Sequence, residues 1–325
     1  MSSRADVSIL ILTYEPNADK LIKTLNSVIK QKGIRTEIII SDDGSHSFPD
    51  EEVRRYISGH DATIKVIKNE INLGTVKNCL NAVSSCEGKY VLATSPGDYL
   101  YDVNTLSCFF GFAEKNNEKI VFGDAVNYHI EGGRIFFENN MMPLRPKIYE
   151  WNNTLIQQTE FFFGKGVLGA SFFRERETFL KYLKKAANDI KYSEDTATTA
   201  YFLADGNTVS HYGRKIVWYE YGSGISTKKS RRWKEILDAE YERLYTLIAN
   251  ECKNPVCKAY IDFISRPRGV FRAVRLLVHH PLIGLIHLLG KFSPKKSAVI
   301  DSENSEKRFL KAVSDTETGF RKERK

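Results

Sequence analysis

Short apolar runs and amphipathic helical patterns alternate over the first hundred residues, and this constrains the fold more than any other feature. Runs rich in Ile, Val or Thr cover Val7–Leu12, Glu37–Ser41, Thr63–Ile67 and Tyr90–Thr94, each of strand length. Between them, residues 19–30 place Leu21, Ile22, Leu25, Val28 and Ile29 on one helical face, and residues 75–85 do so with Val76, Leu80 and Val83. Near-continuous apolar strands separated by such helices belong in a parallel sheet covered on both faces, so the pattern predicts βαβ units of an α/β fold. Farther on, strands are expected at 119–123 and 215–221, a hairpin pairing 125–130 with 134–138 about Glu131-Gly132-Gly133, and helices at 175–187, 194–204, 231–250 and 255–264. The Phe- and Gly-rich segment 161–170 suits a loop close to a ligand.

A chain of 325 residues fits one main domain plus an appendage. Its 42% hydrophobic and 27% charged content is that of a globular protein. The charge is unevenly placed: residues 266–325 carry 14 Lys and Arg against 6 Asp and Glu, so the whole net charge of +8 lies there. Five scattered cysteines without a CxxC pair indicate neither a disulfide framework nor a zinc site, and reduced thiols are expected. Residues 1–25 lack a basic start, apolar core and cleavage site, which predicts a cytoplasmic protein.

Ligands of open α/β sheets bind outside the carboxyl ends of the strands. There the chain offers Thr13-Tyr14 after its first strand, the adjacent carboxylates of Asp42-Asp43-Gly44-Ser45 after its second, and Asn72-Leu73-Gly74 before a helix. Local turn and capping chemistry alone accounts for Asp, Gly and Ser at such places. A dinucleotide-dependent oxidoreductase would need G-x-G-x-x-G after the first strand, and Thr13-Tyr14-Glu15-Pro16-Asn17 has no glycine.

In this order the pieces resemble a family 2 glycosyltransferase of the GT-A fold over roughly residues 7–227. The resemblance implies a Rossmann-like, mostly parallel central sheet flanked by helices, with a helical C-terminal extension. It implies a nucleotide-sugar site made by Thr13, Tyr14, Glu15, Asp42, Asp43, Asn72, Gly74, Lys77, Ser95 and Asp98. Tyr14 would stack on or flank uracil, Asp43 would accept a hydrogen bond from the base, and Lys77 would reach toward the pyrophosphate. The family's Asp-x-Asp-Asp, which holds the ribose and a divalent cation, corresponds to Ser95-Pro96-Gly97-Asp98, where only Asp98 keeps its acid. Two alternatives follow: Mg²⁺ or Mn²⁺ rests on Asp98 alone, or protein cations carry the leaving-group charge, with Lys228, Lys229, Arg231 and Arg232 as candidates. A plain solvated helix start accounts for the same cations. The histidine that relatives often place nearby is replaced by Gly222 or Ser223, and His211 suits a structural role. Ser193-Glu194-Asp195-Thr196 looks like the family's Glu-Asp pair, with Asp195 as catalytic base beside Glu194; N-capping by Ser193 is the local alternative.

Residues 266–278 interleave arginines with apolar side chains and lead into the apolar run 282–289, which is too short to span a bilayer. A basic amphipathic element at an anionic membrane surface is expected, a helical hairpin packed on the catalytic domain being the alternative, and no nucleic-acid module accompanies the charge. This divides the chain into a catalytic domain (1–227), a helical, membrane-associating region (228–290) and a basic tail (291–325) that is disordered or a short surface helix. The implied activity is inverting transfer from a nucleotide-sugar, a UDP-sugar, to a hydroxyl of a glycan or lipid-linked acceptor. O-antigen, capsule or lipopolysaccharide synthesis, peripheral to the inner face of the plasma membrane, fits it. A non-catalytic, degenerate homologue that has lost the acids at 95 and 97 is the alternative.

Overall fold

The computed structural model describes residues 5–60, 62–142, 145–164, 171–225, 227–228, 230–265, 269–292 and 302–314. The four runs that open the chain become β1 (Val7–Thr13), β2 (Thr36–Asp42), β3 (Ile64–Lys68) and β4 (Tyr90–Thr94), paired in parallel in the order β3-β2-β1-β4. Thr13 lies opposite Asp42 and Ile11 opposite Thr94, so three strands end at one edge. Side chains alternate along β1: Ile9 and Ile11 pack under α1 (Ala18–Ile29), α2 (Asp50–Ser58) and α4 (Thr105–Asn116). Leu10 and Leu12 pack on the other face under α3 (Thr75–Ser84) and α6 (Arg176–Ala186). A strand buried on both faces needs apolar residues at every position, which is why β1 reads as a continuous run.

Past β4 the strand directions mix. β8 (Phe172–Glu175) runs antiparallel between β4 and β6 (Ile120–Glu131); β9 (Ser210–Glu220) runs parallel to β6, and β5 (Tyr99–Leu100) antiparallel to β9. β7 (Arg134–Met142) closes the expected hairpin on β6. The two strands expected at 119–123 and 125–130 are thus one long strand, with the β6–β9 register shifting about Asp124. The expected loop at 161–170 is corrected in part. Phe161 and Phe162 belong to α5 (Thr154–Phe163) and are buried in the core, because Asn153 caps that helix and Tyr245 offers an edge-on ring; residues 165–170 lie outside the described residues.

α7 (Glu194–Ala204) precedes β9, and the described residues after β9 are helical: α8 (Arg231–Glu251), α9 (Pro255–Ile264), α10 (Val270–His279) and α11 (Pro281–Gly290). Asn254 starts α9 by accepting from Val256 N and Cys257 N, both at 3.0 Å, with Pro255 at the first helical position. Leu244, Ile248, Val256, Leu276 and Ile283 join the same apolar core as β1 and α3, so the hairpin α10–α11 is packed on the sheet domain along one face. Within the 291–325 tail, residues 302–313 form α12. Its Ser305, Phe309 and Ala312 fall on one face and are buried, and the Phe309 ring sits 4.6 Å from Tyr128 and 5.6 Å from Tyr99 and Trp218. All five cysteines are free.

Candidate active site

A cavity of about 480 Å³ opens where β1, β2 and β4 end, and α7, α8 and the end of β9 close its far side. Thr13 and Tyr14 line it after β1, Asp43 after β2, and Thr94, Ser95 and Asp98 after β4. Glu194 and Asp195 reach it from the first turn of α7, and Tyr241 from α8.

The Asp42-Asp43 pair divides its work. Asp42 turns away from the cavity, accepting Thr13 Oγ1 and Ser45 N at 3.0 Å each, and so ties the end of β1 to the turn after β2. Asp43, almost fully buried, accepts Leu73 N and Gly74 N at 2.9 Å and Asn69 Nδ2 at 3.1 Å, which pins the loop before α3 against the cavity. Gly74 is required at that contact: its φ is +88°, and a Cβ would lie 2.8 Å from the Lys191 carbonyl. Tyr14 stands half-exposed in the lining, where an aromatic ring is available to a planar ligand. Glu15, in a left-handed conformation (φ 47°), holds His46 N at 2.7 Å.

A second corner gathers charges that lie far apart in the chain. Asp98 Oδ1 accepts Glu220 N at 3.1 Å, and burial, reinforced by the Glu220 charge, pushes the Asp98 carboxyl up to about 8. Both Glu220 oxygens lie 2.7 Å from Lys20 Nζ. Gly97 packs directly against this pair: its φ is +104°, and a Cβ there would collide with Glu220 Oε2. The donor set was tested for the divalent cation implied above. Position 95 offers a hydroxyl, position 97 offers nothing, Asp98 is buried with Oδ1 already accepting Glu220 N, and Glu220 is taken by an ammonium. Among the described residues, no group of three or more His, Cys, Asp or Glu side chains is placed to hold a metal ion. A hard cation wants carboxylate oxygens, and this corner does not present a set that fits it.

The third group is the half-buried pair Glu194 and Asp195. Burial raises both carboxyls, Glu194 to about 8, while the Arg174 guanidinium pulls both back down. Arg174, itself 1% exposed, lies on the faces of Phe172 and Phe179, 4.3 and 4.6 Å from their centroids. Asp195 Oδ1 accepts Thr196 N at 2.7 Å. Ser193 does not cap α7: its hydroxyl donates to Glu240 Oε2 at 3.1 Å, and Glu240 also accepts Lys191 N and Tyr192 N. The C-terminal helix α8 therefore fixes the turn that carries the pair.

The structure brings Thr13, Tyr14, Glu15, Asp43, Ser95, Asp98, Glu194 and Asp195 to the one cavity. It does not bring Lys77, which is exposed on α3 outside the lining, or Lys228, also exposed and outside it; Lys229 lies outside the described residues. Asn72 and Gly74 both lie outside the lining; Gly74 N supports Asp43 from behind, whereas Asn72 is exposed. Arg231 is solvated and paired with Glu235 along its own helix, as a plain helix start would have it. His211 is buried with Nε2 2.9 Å from Asp124 Oδ1, away from the lining. Sequence reasoning passed over Lys20, Glu220 and Tyr241. Glu220 alone carried a usable signal, an acid closing the apolar strand run Ile216-Val217-Trp218-Tyr219.

The profile of Glycosyl transferase family 2 matches residues 8–183. A comparison with curated protein sequences finds no match. Among solved structures, S. aureus TarS 1–349 in complex with UDP-GlcNAc is similar at 18% identity and TM-score 0.56, over 95% of this chain and 82% of that one. S. aureus TarS 1–349 without that ligand gives 19% and 0.54, over 95% and 81%. The mannosyltransferase PcManGT from Pyrobaculum calidifontis, in complex with GDP-Man and Mn²⁺, gives 12% and 0.52, over 89% and 87%. The shared fold agrees with the profile, which spans more than half of the sequence: this chain is a glycosyltransferase, a member of glycosyl transferase family 2.

Proposed function

We propose that the protein transfers a sugar from a UDP-sugar to an acceptor hydroxyl with inversion, in one displacement. The observation that carries this reading is the convergence of Tyr14, Asp43 and Asp195 on one cavity. Tyr14 offers a ring face to the base, and Asp43 borders the same end of the cavity on a rigid turn. Asp195 accepts the proton of the acceptor hydroxyl as its oxygen bonds to the anomeric carbon; the bond from that carbon to the phosphate oxygen breaks, and the nucleoside diphosphate leaves with the electron pair. Burial that raises the Asp195 carboxyl makes it a stronger base once it is ionised. Thr13 and Ser95 border the sugar-nucleotide end, and Tyr192, Leu237 and Tyr241 line the side left for the acceptor. The similar TarS structure is in complex with UDP-GlcNAc and the similar mannosyltransferase with GDP-Man, which supports a nucleotide-sugar donor, here read as a UDP-sugar.

The acceptor is a glycan or lipid-linked chain of the O-antigen, capsule or lipopolysaccharide type, met at the inner membrane face. α10 and α11 leave Val270, Phe271, Val278, Leu282 and Leu289 exposed, followed by Phe292; Phe271 is 90% and Phe292 84% exposed. Residues 266–296 carry seven Lys and Arg and no Asp or Glu. An apolar stripe in a purely basic stretch suits an anionic lipid surface. No helix among the described residues is long and apolar enough to cross a membrane, which fits lying on the surface.

The test is release of UDP from UDP-sugars in the presence of a membrane extract, with Asp195→Asn as control. UDP release abolished in the variant supports the reading; equal release by both overturns Asp195 as base, and none by either supports the degenerate homologue. Sedimentation with phosphatidylglycerol vesicles, lost in Phe271→Asp, tests the membrane contact, and equal sedimentation with phosphatidylcholine would count against it.

A further inference from the structure

We propose that the Lys20 ammonium, standing on Glu220 beside Gly97, is the cation that meets the donor's diphosphate, so that nucleotide binding needs no divalent metal. The inference rests on the nucleotide-sugar reading above and adds the group that balances the leaving charge. Three observations carry it. The first is the pair itself: Lys20 Nζ is 2.7 Å from both Glu220 oxygens, and both residues line the cavity with Asp98 and Ser95. The second is its orientation. The Lys20 side chain is 35% exposed and that of Glu220 10%, so the ammonium is the open partner and the carboxylate stands behind it. An ammonium has three donors, and two bonds to one carboxylate leave capacity for a phosphate oxygen. The third is exclusion. A side chain at position 97 would be strained at φ +104° and would press on Glu220 Oε2, so an acid there would have to push the Glu220 carboxylate off its contact with Lys20.

The geometry also favours an anion. Lys20 lies in the first turn of α1, whose N-cap Asn17 accepts Lys20 N at 3.0 Å, so the positive end of the helix adds to its charge. During transfer the bond from the anomeric carbon to phosphate oxygen breaks, and the electron pair stays on the nucleoside diphosphate. Lys20 keeps its proton and balances that charge electrostatically. Of the four cations the sequence offered, Lys228, Arg231 and Arg232 lie outside the lining, and Lys229 lies outside the described residues.

The test is calorimetric titration of the full chain with UDP, and with uridine as the phosphate-free probe, in EDTA and in Mn²⁺. The wild type is expected to bind UDP with affinities in EDTA and Mn²⁺ that agree within about twofold. Lys20→Met should weaken UDP by about tenfold or more while uridine binding stays unchanged, and Lys20→Arg should restore most of the loss. A wild type that binds UDP only with Mn²⁺ overturns the inference and leaves the nucleotide site standing. Equal weakening of UDP and uridine by Lys20→Met also overturns it, since that marks a structural role. If neither UDP nor GDP binds under any condition, the nucleotide-sugar reading itself falls, and this inference with it.

Discussion

Asp43 and Asp195 border the same cavity from opposite sides, and the same side chain is held there in two different ways. Asp43 is buried but surrounded by donors, two backbone N–H groups and an amide, so it is a fixed acceptor whose first task is to shape the loop before α3. Asp195 is half-buried, takes its donors from its own helical turn, chiefly the N–H and hydroxyl of Thr196, and shares its pocket with a second carboxyl, Glu194. Burial there works against the charge, and the buried Arg174 offsets only part of it. In the proposed reaction, donors from the loop before α3 suit Asp43 to recognition and desolvation beside a second carboxyl suits Asp195 to proton transfer, because hydrogen bonds to a carboxylate hold it in place whereas desolvation makes it seek a proton.

The sharpest way to break this contrast is to neutralise each carboxylate. Asp195→Asn should lower the turnover rate by about a thousandfold and leave UDP affinity unchanged, measured by UDP release and by titration. Asp43→Ala should do the reverse of sparing the site: with Leu73 N and Gly74 N left unpaired, stability falls by about 3 kcal/mol in urea melts and UDP binding is lost. If Asp43→Ala kept full nucleotide affinity, the loop-shaping role would be wrong.

A pH series sharpens the comparison further. Because burial raises the Asp195 carboxyl above its ordinary value, the base is protonated in acid, and log kcat should climb with pH by about one per unit until Asp195 ionises. A profile flat from acid to neutral pH would remove Asp195 from that role. A last prediction concerns Asp98, pushed up to about 8 from an ordinary 3.8. Between those values the folded chain keeps a proton that the unfolded chain has lost, so stability is greatest below the unfolded value and declines as pH rises toward 8. Asp98→Asn should flatten that decline when urea midpoints at pH 5 and pH 8 are compared, and an unchanged slope would show that Asp98 is not its source.

The parallel half of the fold was legible because its periodicity is dictated by burial on both faces: β1, α1, β2, α3 and β4 lie within a few residues of where the apolar pattern puts them. Helix α9 was legible to the residue, since Asn254 and Pro255 mark its start in local chemistry. The single long β6, with its register shift about Asp124, and the packing of Phe162 on Tyr245 were not, because neither depends on neighbours in sequence. In the candidate site, Asp43 and Asp195 could be named from short strings. Lys77 and Lys228 were nominated the same way and point elsewhere, since a lysine's reach is set by the surface on which it happens to stand.

Sequence by itself determined the strand-and-helix alternation, the strand ends where a ligand can sit, and the loss of acids at 95 and 97. Tertiary structure alone decided what took their place. Lys20 and Glu220 are two hundred positions apart and belong to elements with no shared motif, and only the pairing of β9 with β5 and β6, and the packing of α1 beside β5, brings the ammonium and the carboxylate to Gly97. Long-range ion pairs carry no local periodicity, so they become visible only once the chain has folded.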